Sequence, residues 1–160
     1  MNVSKLMQET VTVTPAYRNY NGGHFKTLIS PEQSGGVLAI LDMVLPKGAE
    51  PPLHVHEKED ETFYLLEGAV QFVIDGTSHA LEAGSALFAP RGIPHYFEIL
   101  TDTVRILTVL TPGDFWNYFM EFSEPCHEAP RVTAPAPPTP GQIRHMAERL
   151  SDRYHLGLII

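Results

Sequence analysis

The chain has 160 residues, 43% hydrophobic and 19% charged, which suits one globular domain able to bury roughly two thirds of the surface its unfolded chain exposes. Eleven Lys plus Arg against nineteen Asp plus Glu give a net charge of −8 with the histidines neutral, so the basic stripe that a nucleic-acid binder needs is lacking. The single cysteine, Cys126, excludes an internal disulfide, and no apolar run approaches the roughly 18 residues of a membrane-spanning helix. Met1–Pro15 carries no charged stretch followed by an apolar run of signal-peptide length, so a cytoplasmic protein is expected.

From about Thr10 to Leu110, short runs rich in Val, Ile, Leu, Phe, Tyr and Thr alternate with turn residues at a spacing typical of all-β sandwiches and barrels. Candidate strands are Phe25–Ile29, Val37–Leu45, Pro51–His56, Glu61–Leu66, Val70–Ile74, His79–Leu81, Ala86–Phe88, His95–Ile99 and Val104–Leu110. Asn21-Gly22-Gly23 and Ser34-Gly35-Gly36 punctuate the first part. Asp75-Gly76 supplies the positive-φ residues of a type I′ turn and is the best hairpin signal. No helical crossover separates the strands, so antiparallel sheets are expected.

The pattern changes at Thr111-Pro112-Gly113-Asp114, which reads as a helix start with Thr111 as cap and Pro112 at the first helical position. Phe115, Tyr118, Phe119 and Phe122 share one helical face, while Trp116 and Met120 make the adjoining face apolar. Such a helix has two surfaces to bury: either one lies on the barrel and the other on a neighbouring subunit, so that a homodimer is expected, or the helix caps the barrel of its own subunit. Six prolines between residues 124 and 140 exclude regular helix or central strand there. Thr139-Pro140-Gly141-Gln142 has the form of a capping box. It precedes an apolar stripe of Ile143, Met146, Ala147, Leu150 and Tyr154, and then the tail Leu156–Ile160. The expected division is a barrel with its aromatic helix over residues 1–123, then a Pro-rich arm, helix and tail over 124–160, packed on the barrel or on a partner.

His54-Val55-His56 is the centre of the chemistry. Residues two apart in a strand point to one face, so both imidazoles project to the same side. Glu61 opens the next candidate strand and His95 lies on a later one. Three imidazoles and a carboxylate form a ligand set suited to Fe, Mn, Ni, Cu or Zn and too nitrogen-rich for Mg or Ca. Four protein ligands on an ion that prefers five or six leave an open position, as catalytic sites do. If Glu61 and His95 face inward, so do Phe63, Leu65, Phe97 and Ile99, which either line a mainly apolar substrate pocket or simply fill a small barrel.

The frame around these residues is G-x5-H-x-H-x4-E-x6-G from Gly48 to Gly68, followed by G-x5-P-x-G-x2-H from Gly84 to His95. These two blocks resemble the paired motifs of the cupin superfamily. The resemblance implies a double-stranded β-helix (a jelly-roll barrel) with short C-terminal helices, and His54, His56, Glu61 and His95 as ligands of one divalent transition metal. The family's second motif usually closes on Asn where this chain has Ile99, replacing a polar contact with an apolar one. A looser similarity to small quercetin-dioxygenase-like cupins runs from about Pro31 to the C-terminus. It implies a dioxygenase acting on a small enolic or phenolic, flavonol-like substrate, with Glu61 as general base. Two alternatives are a metal-dependent isomerase, cyclase or lyase that uses no oxygen, and a binding module without chemistry.

Other polar residues read as structural. His24, His79, His127, His145 and His155 have no partner at ligand spacing, and Glu57, Glu59 and Asp60 read as a solvated turn. Asp60 has the alternative role of orienting a ligand imidazole. Arg91 is expected at the surface, Tyr64 and Tyr96 face away from the ligands, and Cys126 is expected to be inert.

Overall fold

The computed structural model describes residues 16–159, so the reading of Met1–Pro15 and the last tail residue, Ile160, lie outside it. Two antiparallel sheets face each other. Their strands are β1 (Tyr17–Tyr20), β2 (Gly23–Ile29), β3 (Ala39–Pro46), β4 (His54–His56), β5 (Asp60–Glu67), β6 (Ala69–Ile74), β7 (Thr77–Glu82), β8 (Ala86–Ala89), β9 (His95–Ile99), β10 (Thr103–Thr111), β11 (Glu124–Pro125) and β12 (Leu156–Leu158). The larger sheet has the order β11-β1-β2-β3-β10-β5-β8 and the smaller β12-β4-β9-β6-β7. Their inner faces bury an apolar core that includes Phe25, Leu41, Leu65, Val70, Phe72, Ile99, Val104 and Leu110. This is the all-β architecture expected from the strand spacing, in the jelly-roll form that the resemblance implies. No helix among the described residues is long and apolar enough to cross a membrane.

Turn chemistry sets much of the register. Asp75 and Gly76 both take positive φ, 48° and 73°, closing the β6–β7 hairpin as a type I′ turn requires. Gly68 (φ 89°) sits where a Cβ would come within 2.7 Å of both Thr101 Oγ1 and the Thr103 carbonyl oxygen, so β5 turns into β6 only with glycine there. On the outer face of the larger sheet, Asp42 is buried. Arg105 grips it through Nε (3.0 Å) and Nη2 (2.8 Å), and Lys26 Nζ approaches to 3.5 Å.

Several boundaries differ from expectation. β1 is an additional strand, joined to β2 through Asn21 and Gly22 in positive φ; its polar sequence, Tyr-Arg-Asn-Tyr, hides a strand that β11 pairs on its other side. A short helix, α1 (Pro31–Ser34), has a full capping box from Ser30 and Gln33. The strand expected from Pro51 begins only at His54, since two successive prolines offer no backbone N–H to a ladder. Thr111 does not cap a helix. It is the last residue of β10, opposite Asp60, and the chain turns through a 3-10 segment, Gly113–Phe115, before α2 (Trp116–Glu121).

Phe115, Tyr118 and Phe119 are buried in the core, while Trp116 and Met120 pack against it partly covered. Trp116 Nε1 donates to Thr27 Oγ1 (2.9 Å). The chain itself therefore covers part of the second face that motivated the dimer expectation. The Thr139–Gln142 capping box opens α3 (Pro140–Asp152) as expected, and a fork from Arg149 to Glu121 (2.6 and 2.9 Å) ties it to α2. After α3 the tail joins the smaller sheet: Leu156 pairs with His56 and Leu158 with His54.

Candidate metal centre

β4 carries His54 and His56 on its inner face, β5 begins the carboxylate side with Glu61, and β9 opens on His95, directly opposite His54. All four are buried, and their candidate donor atoms lie within 4.8 Å of one another. Glu61 Oε2 stands 3.0 Å from His95 Nε2 and 3.3 Å from His56 Nε2. The far nitrogens are occupied elsewhere: His54 Nδ1 donates to the Pro52 carbonyl (2.8 Å) and His95 Nδ1 to that of Ile93 (3.0 Å). Those bonds fix the tautomers and leave the Nε2 lone pairs for a cation.

The third imidazole has a different partner. His56 Nδ1 faces Glu59 Oε2 at 3.6 Å, and both atoms are buried with no hydrogen bond. Glu59 is only 4% exposed, so it is not part of a solvated turn. It lies two residues before Glu61 and shares its inward parity, which is the sequence signal that identifies it. The orienting role considered for Asp60 is not open to it, because Asp60 is held by Arg91 through Nε (3.1 Å), Nη2 (2.7 Å) and the backbone N–H (2.8 Å); the carboxylate that faces His56 Nδ1 is Glu59. Arg91 is half exposed, its surface position set by this fork.

Charge is concentrated here. Burial alone would push the Glu61 carboxyl up, but His56, His95 and His54 more than reverse this and keep it ionised, well below the usual carboxylate range. Burial also works against a charged His56, yet Glu61 and Glu59 outweigh it and push that imidazole up to about 9. His54 is lowered to about 4, chiefly by burial. The carboxylates thus favour positive charge at this cluster, where a cation can take over from a proton. The donor set, the committed Nδ1 atoms and the unpaired Glu59 carboxylate all fit a transition metal held by His54, His56, Glu61 and His95.

The cluster forms one wall of a cavity of about 320 Å³, large enough for a small organic molecule. The rest of the wall is mainly apolar, contributed by both sheets, the α2 segment and α3; it includes Met43, Leu45, Phe63, Phe97, Phe115 and Leu150. Phe63 and Phe97 take the places expected of them. Leu65 and Ile99 do not line the cavity. They lie two residues deeper on the same strands, 0% and 1% exposed, opposite Ile106 and Val70. Alternation predicted their face correctly but not their depth along the barrel. Sequence reading missed Tyr20, on the unexpected β1, and also Tyr118, Glu50 and Thr108 as polar members of the wall.

Residues 41–115 match the family model Cupin_2, described as a cupin domain. Over 100 residues the chain is 28% identical to quercetin 2,3-dioxygenase of Bacillus subtilis, covering 62% of this chain and 30% of that one. Over 88 residues it is 32% identical to the tetracenomycin polyketide synthase protein TcmJ of Streptomyces glaucescens, covering 54% and 58% respectively. The chain therefore spans less than two thirds of either relative. Among solved structures, a protein described as a predicted oxalate decarboxylase from Thermotoga maritima is similar with a TM-score of 0.54 and 27% identity, over 62% of this chain and 94% of that one. With its paired motifs, its two-sheet barrel and its buried histidine–glutamate cluster, the chain carries a cupin domain over residues 41–115.

Proposed function

We propose that the protein is a metal-dependent cupin dioxygenase acting on a small enolic or phenolic substrate. The observation that carries this reading is the position of the four-residue donor cluster, which forms one wall of an otherwise apolar cavity rather than a closed structural site. Two relatives support the substrate class, one named for quercetin and the other for a polyketide synthase; flavonols and aromatic polyketides share enolic and phenolic oxygens.

A bound transition metal would supply Lewis-acid charge for a substrate oxygen. The protein's own groups supply the rest. Glu61, ionised and directed at His56 and His95, is placed to accept the proton of an enol or phenol entering beside it. Glu59, with its carboxylate 3.6 Å behind His56 Nδ1, is the group available to orient that imidazole when its Nε2 binds the metal. Phe63, Phe97 and Phe115 exclude bulk water and offer flat surfaces to an aromatic ring.

Protein loaded with Fe, Ni or Mn is expected to consume oxygen with flavonols and related diketones, measured with an oxygen electrode. No consumption across that set would overturn the reading, and turnover without oxygen would replace it with the isomerase or lyase alternative.

A further inference from the structure

Tyr20, at the end of β1, and Tyr118, on α2, line the same cavity as the metal cluster. Their hydroxyl oxygens are 3.3 Å apart, and the Tyr118 hydroxyl donates to Met146 Sδ on α3 at 3.8 Å. Each phenol has one proton to give and lone pairs to receive. If Tyr118 gives its proton to the sulfur, Tyr20 gives its own to Tyr118, and nothing within the pair donates to the Tyr20 oxygen. A thioether is a weak acceptor, so the Tyr118 proton is only weakly held. Two other polar groups of the wall are already engaged: Thr108 Oγ1 donates to Met43 Sδ (3.5 Å), and Glu50 Oε1 accepts the Ile99 N–H (3.0 Å).

The two rings are also fixed in place. Tyr118 stacks on Phe115 at 4.9 Å between centroids, and Phe115 packs edge-on against His56 at 4.5 Å. Tyr20 sits edge-on to Phe25 (6.1 Å) and Phe119 (5.5 Å). The hydroxyl pair therefore belongs to the same rigid wall as the metal cluster, with the Phe115 ring between Tyr118 and His56. Burial, Tyr118 and the Glu61 charge all raise the Tyr20 hydroxyl above its ordinary range, so it stays neutral and keeps its proton to donate.

We propose that the Tyr20–Tyr118 pair is a second polar subsite that positions the substrate by hydrogen-bonding an oxygen remote from the one held at the His54–His56–Glu61–His95 centre. The proposal rests on the metal-dependent reading above and narrows its substrate class to aromatic or enolic molecules with a hydroxyl or carbonyl at each end. Met146 Sδ is the contact that the remote oxygen replaces.

Metal-loaded protein titrated anaerobically with quercetin and with 3-hydroxyflavone, which keeps the metal-binding enol and carbonyl but lacks remote hydroxyls, tests this by calorimetry. The wild type is expected to prefer quercetin by about tenfold, one well-placed hydrogen bond. Tyr118→Phe and Tyr20→Phe, which keep the aromatic packing, are expected to weaken quercetin toward 3-hydroxyflavone and leave the latter and the metal content unchanged. Equal affinity of the wild type for the two probes, no binding of either, or variants that weaken both alike would overturn the subsite. If the preference is present and lost in the variants while neither probe supports oxygen consumption, the subsite stands and the dioxygenase reading falls.

Discussion

Along β5, Glu61, Phe63 and Leu65 share one inward face, yet each has a different neighbourhood: the donor cluster, the cavity wall and the sealed end of the barrel. His95, Phe97 and Ile99 repeat the sequence on β9. At one end the two sheets close on side chains that leave no room, and at the other the same two strands, two residues earlier, border a cavity of about 320 Å³. The packed end carries fully buried apolar side chains and the open end the candidate metal ligands, so a substitution at either end should leave the other end's property largely intact.

The largest expected effect breaks the two ends apart. Leu65→Ala should lower unfolding free energy by about 3–4 kcal/mol, because a fully buried side chain leaves a void that its neighbours fill only in part. His56→Ala should change stability less but cut metal affinity by roughly a thousandfold, since it removes a ligand and leaves Glu59 without its imidazole. Denaturant unfolding and competition with a chromophoric chelator measure the two; a Leu65 variant that lost metal before it lost structure would break the division.

Glu59→Gln sharpens it from the open end. The variant should keep the fold and weaken metal binding about 10–100-fold, the usual effect of losing a carboxylate behind a ligand imidazole. Unchanged affinity in the chelator competition would show that His56 needs no support from Glu59.

The smallest effect lies outside both ends. Arg105 holds the Asp42 carboxyl below its ordinary range through hydrogen bonds and charge, overcoming the opposing effect of burial, and Lys26 adds to it. A carboxyl depressed in the folded state stabilises above its unfolded value, and that contribution is lost as pH falls through the folded value. Asp42→Asn should therefore cost about 1–2 kcal/mol at neutral pH and progressively less as the solution is acidified below the ordinary Asp range. Urea midpoints against pH would show the gap between wild type and variant closing on the acid side; a constant gap would remove Asp42 from the account.

The sequence disclosed the donor set because its information is local and periodic: two histidines at strand spacing, a glutamate opening the next strand, and turn glycines that need positive φ whatever the barrel holds. Asp75-Gly76 fixed its hairpin for the same reason. Depth is not local. Whether Leu65 meets the cavity depends on where Ile106 and Val70 reach across from other strands, which no period of two encodes. Glu59 was hidden by composition, since Glu57-Lys58-Glu59-Asp60-Glu61 reads as a charged turn although Glu59 and Glu61 are buried. Tyr20 was hidden by a strand whose main cue was the Asn21-Gly22 turn after it. Thr111 misled because cap residues also end strands, and here the hydrogen-bond ladder to Asp60 took precedence.

The pairing of Leu156–Leu158 with His54–His56 also has a consequence in biosynthetic time. β4 meets β9 through the single pair His54–His95, and its other edge is completed only by β12. During synthesis the two histidines emerge early, while the strand that flanks them is among the last pieces of described chain to leave the ribosome. In the order of synthesis, β12 is therefore the last strand of the smaller sheet to become available, and the β4 edge has no partner on that side until it does.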